Sequence, residues 1–149
     1  MIPSFDIDGL LPPGIHWATW NEIIERFGYT QHRKRLLSGL KNALIALKEV
    51  GCKFAYLDGS FVTFKLIPND FDACWEADGV NLIELERKEP ILLQFSNGRV
   101  AQKSKFMGEL FLIENNNINN ELTFLEFFQI DKETGKRKGI VGINLEEIL

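Results

Sequence analysis

With 149 residues, 45% apolar and 26% charged, the chain has the composition of one globular domain large enough to bury a core. A formal charge of −4 excludes general nucleic-acid binding by charge, leaving room only for a local basic patch. Cys52 and Cys74 are too few for a disulfide framework, no basic-then-apolar leader opens the chain, and no apolar run approaches the ~20 residues of a membrane span; a cytoplasmic protein is expected.

In chain order, residues 1–18 carry Pro3, Pro12, Pro13, Gly9 and Gly14, which predicts an ordered arm or loop rather than a helix. Thr19-Trp-Asn-Glu22 is a capping box that starts a short helix ending at Gly28. Thr30 caps a second, longer helix running to about Val50 and closed by Gly51. Leu36, Leu40, Leu44 and Leu47 share one face of it, and Arg33, Lys34, Lys41 and Lys48 are expected on a solvated side. CKFAYLDGS predicts a strand ending in an Asp-Gly-Ser turn, and DFDACW a second strand. Residues 80–106 read as one or two helices interrupted at Pro90 and at Ser96-Asn97-Gly98. GELFLIE is a third strand, NNNINN a polar turn, LTFLEFFQI a Phe-rich strand, and GIVGINL, after the turn signal KETGKRKG, a last one. The whole is an α+β domain spanning 1–149, with a mixed or antiparallel sheet and helices packed on it.

Two Asp-x-Asp pairs invite a chemical reading. The first, Asp6-Ile7-Asp8-Gly9, matches the nucleophile loop of dehalogenase-type phosphatases. That loop needs a buried strand before its first Asp, and here only Met-Ile-Pro-Ser-Phe precedes it, with Pro3 unable to donate to a ladder. Side chains that cap turns are the expectation for this pair. The second, Asp70-Phe71-Asp72, begins a predicted strand nine residues after Gly59-Ser60. Residues i and i+2 of a strand point the same way, so the two carboxylates share a face. They repel, and a cation between them relieves the repulsion; Mg²⁺ (or Mn²⁺), which takes carboxylate and phosphate oxygens, is the natural one. Gly59 lets backbone approach a phosphate, and Ser60 can donate to it.

Leu57-x-Gly59-Ser60, nine residues, then Asp70-Phe71-Asp72-Ala73 resembles the signature of the nucleotidyltransferase superfamily, of the polymerase-β and minimal nucleotidyltransferase type. Over most of its length the chain is also similar to a family of small bacterial nucleotidyltransferase-like proteins, through IPSFDIDGLLPPGIHWATW, LDGSFVT, DFDACW, SNGRVAQKSKFMGELF, FLEFFQIDKETG and KGIV. The resemblance implies an NTP substrate, a divalent metal and a third carboxylate from a neighbouring strand. Glu126, a charge in the apolar run Phe124-Leu-Glu-Phe-Phe128, is the candidate for that role, either as metal ligand and base or, more plainly, as an edge residue facing water. The turn departs from the superfamily pattern, with Phe61-Val62-Thr63-Phe64-Lys65 after Gly-Ser and Lys65 as its one basic residue.

Arg99 and Lys103, four residues apart on a predicted helix, can either steady the departing phosphates or simply be solvated; Lys105 reads as solvated. His16 and His32 lack ligand-spaced partners. Trp17, Trp20, Phe5 and Leu10 read as anchors of the arm, or as a surface for a protein partner. The leading expectation is transfer of NMP from an NTP to an acceptor hydroxyl, in which Asp70, Asp72 and Glu126 are catalytic and hold metal, and Gly59, Ser60, Lys65, Arg99 and Lys103 bind the nucleotide. The acceptor fits a protein, as in toxin–antitoxin pairs. The alternative is a non-catalytic antitoxin or immunity module on the same fold, and the distant one is the phosphatase.

Overall fold

The computed structural model describes residues 1–114, 129–131 and 134–148. The predicted turn at 115–120, most of the Phe-rich strand and Glu126 lie outside them. The described elements run β1 (Gly14–Trp17), α1 (Trp20–Phe27), α2 (Gln31–Glu49), β2 (Phe54–Asp58), β3 (Phe71–Glu76), α3 (Leu82–Lys88), α4 (Ser96–Phe106), β4 (Gly108–Ile113) and β5 (Gly139–Asn144), with 3₁₀ turns at Gly59–Val62, Pro90–Leu93 and Leu145–Glu147. The domain is α+β, and its five-stranded mixed sheet has the order β1-β5-β2-β3-β4. β2 pairs antiparallel with both β3 and β5, while β1–β5 and β3–β4 are parallel.

Local chemistry explains the helices. Thr19 accepts from the Glu22 N–H at 3.2 Å while the Thr19 N–H donates to the Glu22 carboxylate at 3.0 Å, so two otherwise orphaned donors start α1. Thr30 caps α2 by accepting from the Arg33 N–H at 3.0 Å. Leu36, Leu40, Leu44 and Leu47 are all fully buried, which stabilises the docked helix by roughly 2 kcal/mol per side chain. Gly39 makes the crossing of α2 with α4 possible, because a Cβ there would sit 2.0 Å from the Phe106 carbonyl oxygen.

Two expectations need correction. Residues 14–17, expected as part of the arm, form β1. Arg33, expected on the solvated side of α2, is 0% exposed, since it stands three and four residues before Leu36 and Leu37 and so shares their face.

Strand alternation sorts the sheet into two faces. Ala55, Leu57, Phe71, Ala73, Trp75, Leu110, Val141 and Ile143 join the main core with α1 and α2. On the opposite face Tyr56, Cys74, Ile113 and Ile140 form a second cluster, against which Ile15, Phe54 and Phe111 pack. Asp58, Asp72 and Glu109 have the parity of this second face, at its end nearest the Gly59–Val62 turn.

Candidate functional site

Register brings together what the sequence separates. Asp58 of β2 lies opposite Asp72 of β3, and Asp72 opposite Glu109 of β4, so three carboxylates form one row across three strands. Directly paired residues project to the same face, and all three line a cleft of about 550 Å³ whose wall also includes Gly59, Ser60, Lys65, Phe111 and Lys138.

Burial makes the row electrostatically tense. Desolvation first, then the charge of Asp70 and a hydrogen bond to Glu109, push the Asp72 carboxyl up to about 7. Asp70 is raised as well, by burial and by the charge of Glu109, against the opposing fields of Lys103 and Lys65. The two ends of the row carry cations. Lys138 Nζ is 3.7 Å from Asp58 in a pair only 12% and 5% exposed, and Lys103 Nζ is 3.2 Å from Glu109, a contact that raises the lysine's own pKa. Asp72, in the middle, has no cation paired with it in this way among the described residues, and its charged form is the one disfavoured.

The Gly59 turn closes on this carboxylate. Its φ is +76°, and a Cβ at that position would stand 2.1 Å from Asp72 Oδ2. Glycine is required twice over, by the backbone conformation and by the carboxylate. On the other side, Gln102 ties α4 to β4: its amide donates to the Ile91 and Leu92 carbonyls at 3.3 Å each and accepts from the Leu110 N–H at 2.8 Å. That anchor turns Lys103 toward Glu109. Arg99 lies 3.9 Å over the ring of Phe111, a cation–π contact two residues along β4 from Glu109.

Of the residues singled out in the sequence, Gly59, Ser60, Lys65 and Asp72 line the cleft. Asp70 acts on it through its charge, and Lys103 and Arg99 touch two of its wall residues. Glu126 falls outside the described residues. Sequence reasoning missed Asp58, Glu109 and Lys138. Glu109 carried the same signal as Glu126, a lone charge in an apolar strand (GELFLI). Of the first Asp pair only Asp6 caps a turn, its Oδ1 accepting from the Asp8 and Leu10 N–H groups at 2.8 and 3.1 Å, while Asp8 lines the cleft. Asp8 pairs at 3.4 Å with Lys136. Lys105 is paired with Glu89 at 2.7 Å. His16 and His32 each meet a proline carbonyl, at 2.6 and 2.5 Å.

Among the described residues, no three His, Cys, Asp or Glu side chains converge closely enough to enclose a metal ion by themselves. Mg²⁺ does not demand that, since it is usually held by one or two carboxylates together with substrate phosphates and water. Asp72 and Glu109, paired across β3 and β4, are two carboxylates that could serve in that smaller set. No helix among the described residues is long and apolar enough to cross a membrane.

Fold and site define an α+β protein with a carboxylate row and a Gly-Ser turn at one end of a mixed sheet. Residues 3–144 match DUF6932, a family of unknown function, and the chain belongs to that family. No curated protein and no solved structure matches it.

Proposed function

We propose that the protein is a metal-dependent nucleotidyltransferase, moving NMP from an NTP to an acceptor hydroxyl. The observation that carries this is the row Asp58–Asp72–Glu109 packed against the Gly59-Ser60 turn. It sets acidic side chains beside a turn whose backbone suits a phosphate, at adjoining ends of β2, β3 and β4, as the resemblance to the superfamily implies. Glu109, on the strand beside Asp72, takes the third-carboxylate role for which the sequence suggested Glu126.

The chain's own residues divide the work. Backbone N–H groups around Gly59 and the Ser60 hydroxyl donate to the triphosphate. Two of the carboxylates Asp70, Asp72 and Glu109, with the substrate phosphates, would hold the divalent ion, which supplies neutralisation of the phosphate charge when bound. Lys65, Lys103 and Arg99 stabilise the charge that builds on the leaving group. The acceptor oxygen forms a bond to the α-phosphorus, the bond from that phosphorus to the bridging oxygen breaks, and pyrophosphate leaves. The hydroxyl proton passes to a carboxylate of the row. Positioning and charge account for most of the rate. A protein hydroxyl is the proposed acceptor, as in toxin–antitoxin pairs, because a chain of charge −4 does not draw polynucleotides.

The test is label transfer from each α-labelled NTP, with Mg²⁺ or Mn²⁺ and a host lysate, comparing wild type with Asp70→Asn/Asp72→Asn. Label moving to a protein band with wild type alone supports the proposal; no transfer with any nucleotide refutes it.

One observation favours a second reading, a non-catalytic antitoxin or immunity module. Lys138 and Lys103 already neutralise two of the three carboxylates, as a purely structural polar row would require. On that reading the double Asn variant keeps its biological activity.

A further inference from the structure

Arg33 has no carboxylate beside it among the described residues and is sunk to 0% exposure in the first turn of α2. Its guanidinium lies between the rings of Tyr29 and Phe61, 4.6 and 4.7 Å from their centroids. Nη1 donates to the Phe61 carbonyl at 2.8 Å and to that of Phe27 at 3.3 Å. Nη2 donates to the carbonyls of Thr63, at 3.4 Å, and Lys65. Burying such a charge is costly, and an apolar side chain would fill the space without that cost. What the planar fork adds is direction: several carbonyls fixed by one rigid group.

The segment it grips, 61–68, joins the Gly59-Ser60 turn to Asp70. Phe61 and Val62 bury its start in the core, but beyond them Phe64, Leu66 and Ile67 are 74%, 62% and 64% exposed. The Phe64 N–H donates to the Gly9 carbonyl at 2.9 Å, and further ties come from the start of α2 and the residues just before it. His32 meets the Pro68 carbonyl at 2.5 Å, and the Tyr29 hydroxyl reaches that of Lys65 at 3.5 Å. Of the gripped residues, Lys65 carries a positive charge into the cleft wall, and its field is felt at Asp70.

We propose that Arg33 is a positioning residue for polyphosphate binding: by fixing the backbone at 61, 63 and 65 it holds Lys65 where its ammonium meets the anionic oxygens of the substrate. This rests on the nucleotide reading of the cleft.

Calorimetric titration of the full chain with inorganic tripolyphosphate and Mg²⁺ tests it, using wild type, Arg33→Lys, Lys65→Ala and the double variant. Lysine keeps the charge but cannot fork to several carbonyls. Arg33→Lys and Lys65→Ala should each weaken binding about tenfold, the scale of one charge-assisted hydrogen bond. The double variant should bind no more weakly than Lys65→Ala alone, because residues acting through one another are not additive. A merely structural Arg33 would lower the melting temperature and leave the affinity of the folded protein unchanged. Unchanged affinity in Arg33→Lys, or full additivity in the double variant, overturns the proposal. Should Arg33→Lys not fold, His32→Ala removes one tie from a half-buried position. It should weaken binding about threefold with Lys65 present and not at all without it, on the same non-additivity argument; equal effects in both backgrounds, or none in either, overturn the proposal. Wild type that fails to bind tripolyphosphate overturns the nucleotide reading and the proposal with it, whereas wild-type binding untouched by Arg33→Lys overturns the proposal alone.

Discussion

Replacing Asp72 with Asn should make the metal-free protein more stable at pH 8. Burial, the Asp70 charge and Glu109 raise this carboxyl from its ordinary 3.8 to about 7. Between those values the folded state holds a proton that the unfolded chain has released, so unfolding loses a proton and stability falls as pH rises through the window. Above about 7 both states are ionised and the loss is complete. At 1.36 kcal/mol per pH unit the full penalty is about 2–4 kcal/mol once the coupling of Asp72 to its neighbours is allowed for. Asn keeps the shape and can donate to Glu109 without carrying charge. Urea denaturation of both proteins from pH 4 to pH 8.5 measures the difference. The variant should lead by about 2–4 kcal/mol at pH 8, and the gap should close toward pH 4. Millimolar Mg²⁺ should stabilise wild type selectively. A variant less stable than wild type at pH 8, or a gap indifferent to pH, would refute the reasoning.

Gly59→Ala forces an L-residue into φ +76° with its Cβ 2.1 Å from Asp72 Oδ2; it should cost about 1–2 kcal/mol by denaturation and abolish label transfer. Lys138→Met removes the cation beside the buried Asp58 and should cost roughly 3 kcal/mol, read from the urea midpoint. Thr19→Ala removes the capping box of α1 for about 1 kcal/mol, with no change in tripolyphosphate affinity by calorimetry, because α1 does not line the cleft.

Features that depend on neighbours in sequence were legible from it. Thr19 and Thr30 cap helices with groups three residues away, and the spacing of Leu36, Leu40, Leu44 and Leu47 marks the buried face directly. The same stripe, extended back by one turn, reaches Arg33, whose charge points to solvent while its position on the helix argues for burial. β1 was hidden for a different reason. Among the described residues Gly14–Trp17 pairs only with β5, far along the chain, and it follows two prolines that read as loop. The site divides along the same line. Asp70, Asp72 and the Gly59-Ser60 turn are close in sequence and were found. Asp58 and Glu109 join Asp72 only through strand register, which no local pattern contains.

Mn²⁺-induced broadening of backbone amide resonances tests the central claim most directly, since it locates the ion without assuming a reaction. The account predicts that sub-stoichiometric Mn²⁺ broadens Gly59, Asp72 and Glu109 first, that ATP sharpens this preference, and that Asp72→Asn removes it. Broadening centred on Asp8 and Asp131, two other acidic residues that line the cleft, or none that Asp72→Asn affects, would contradict it.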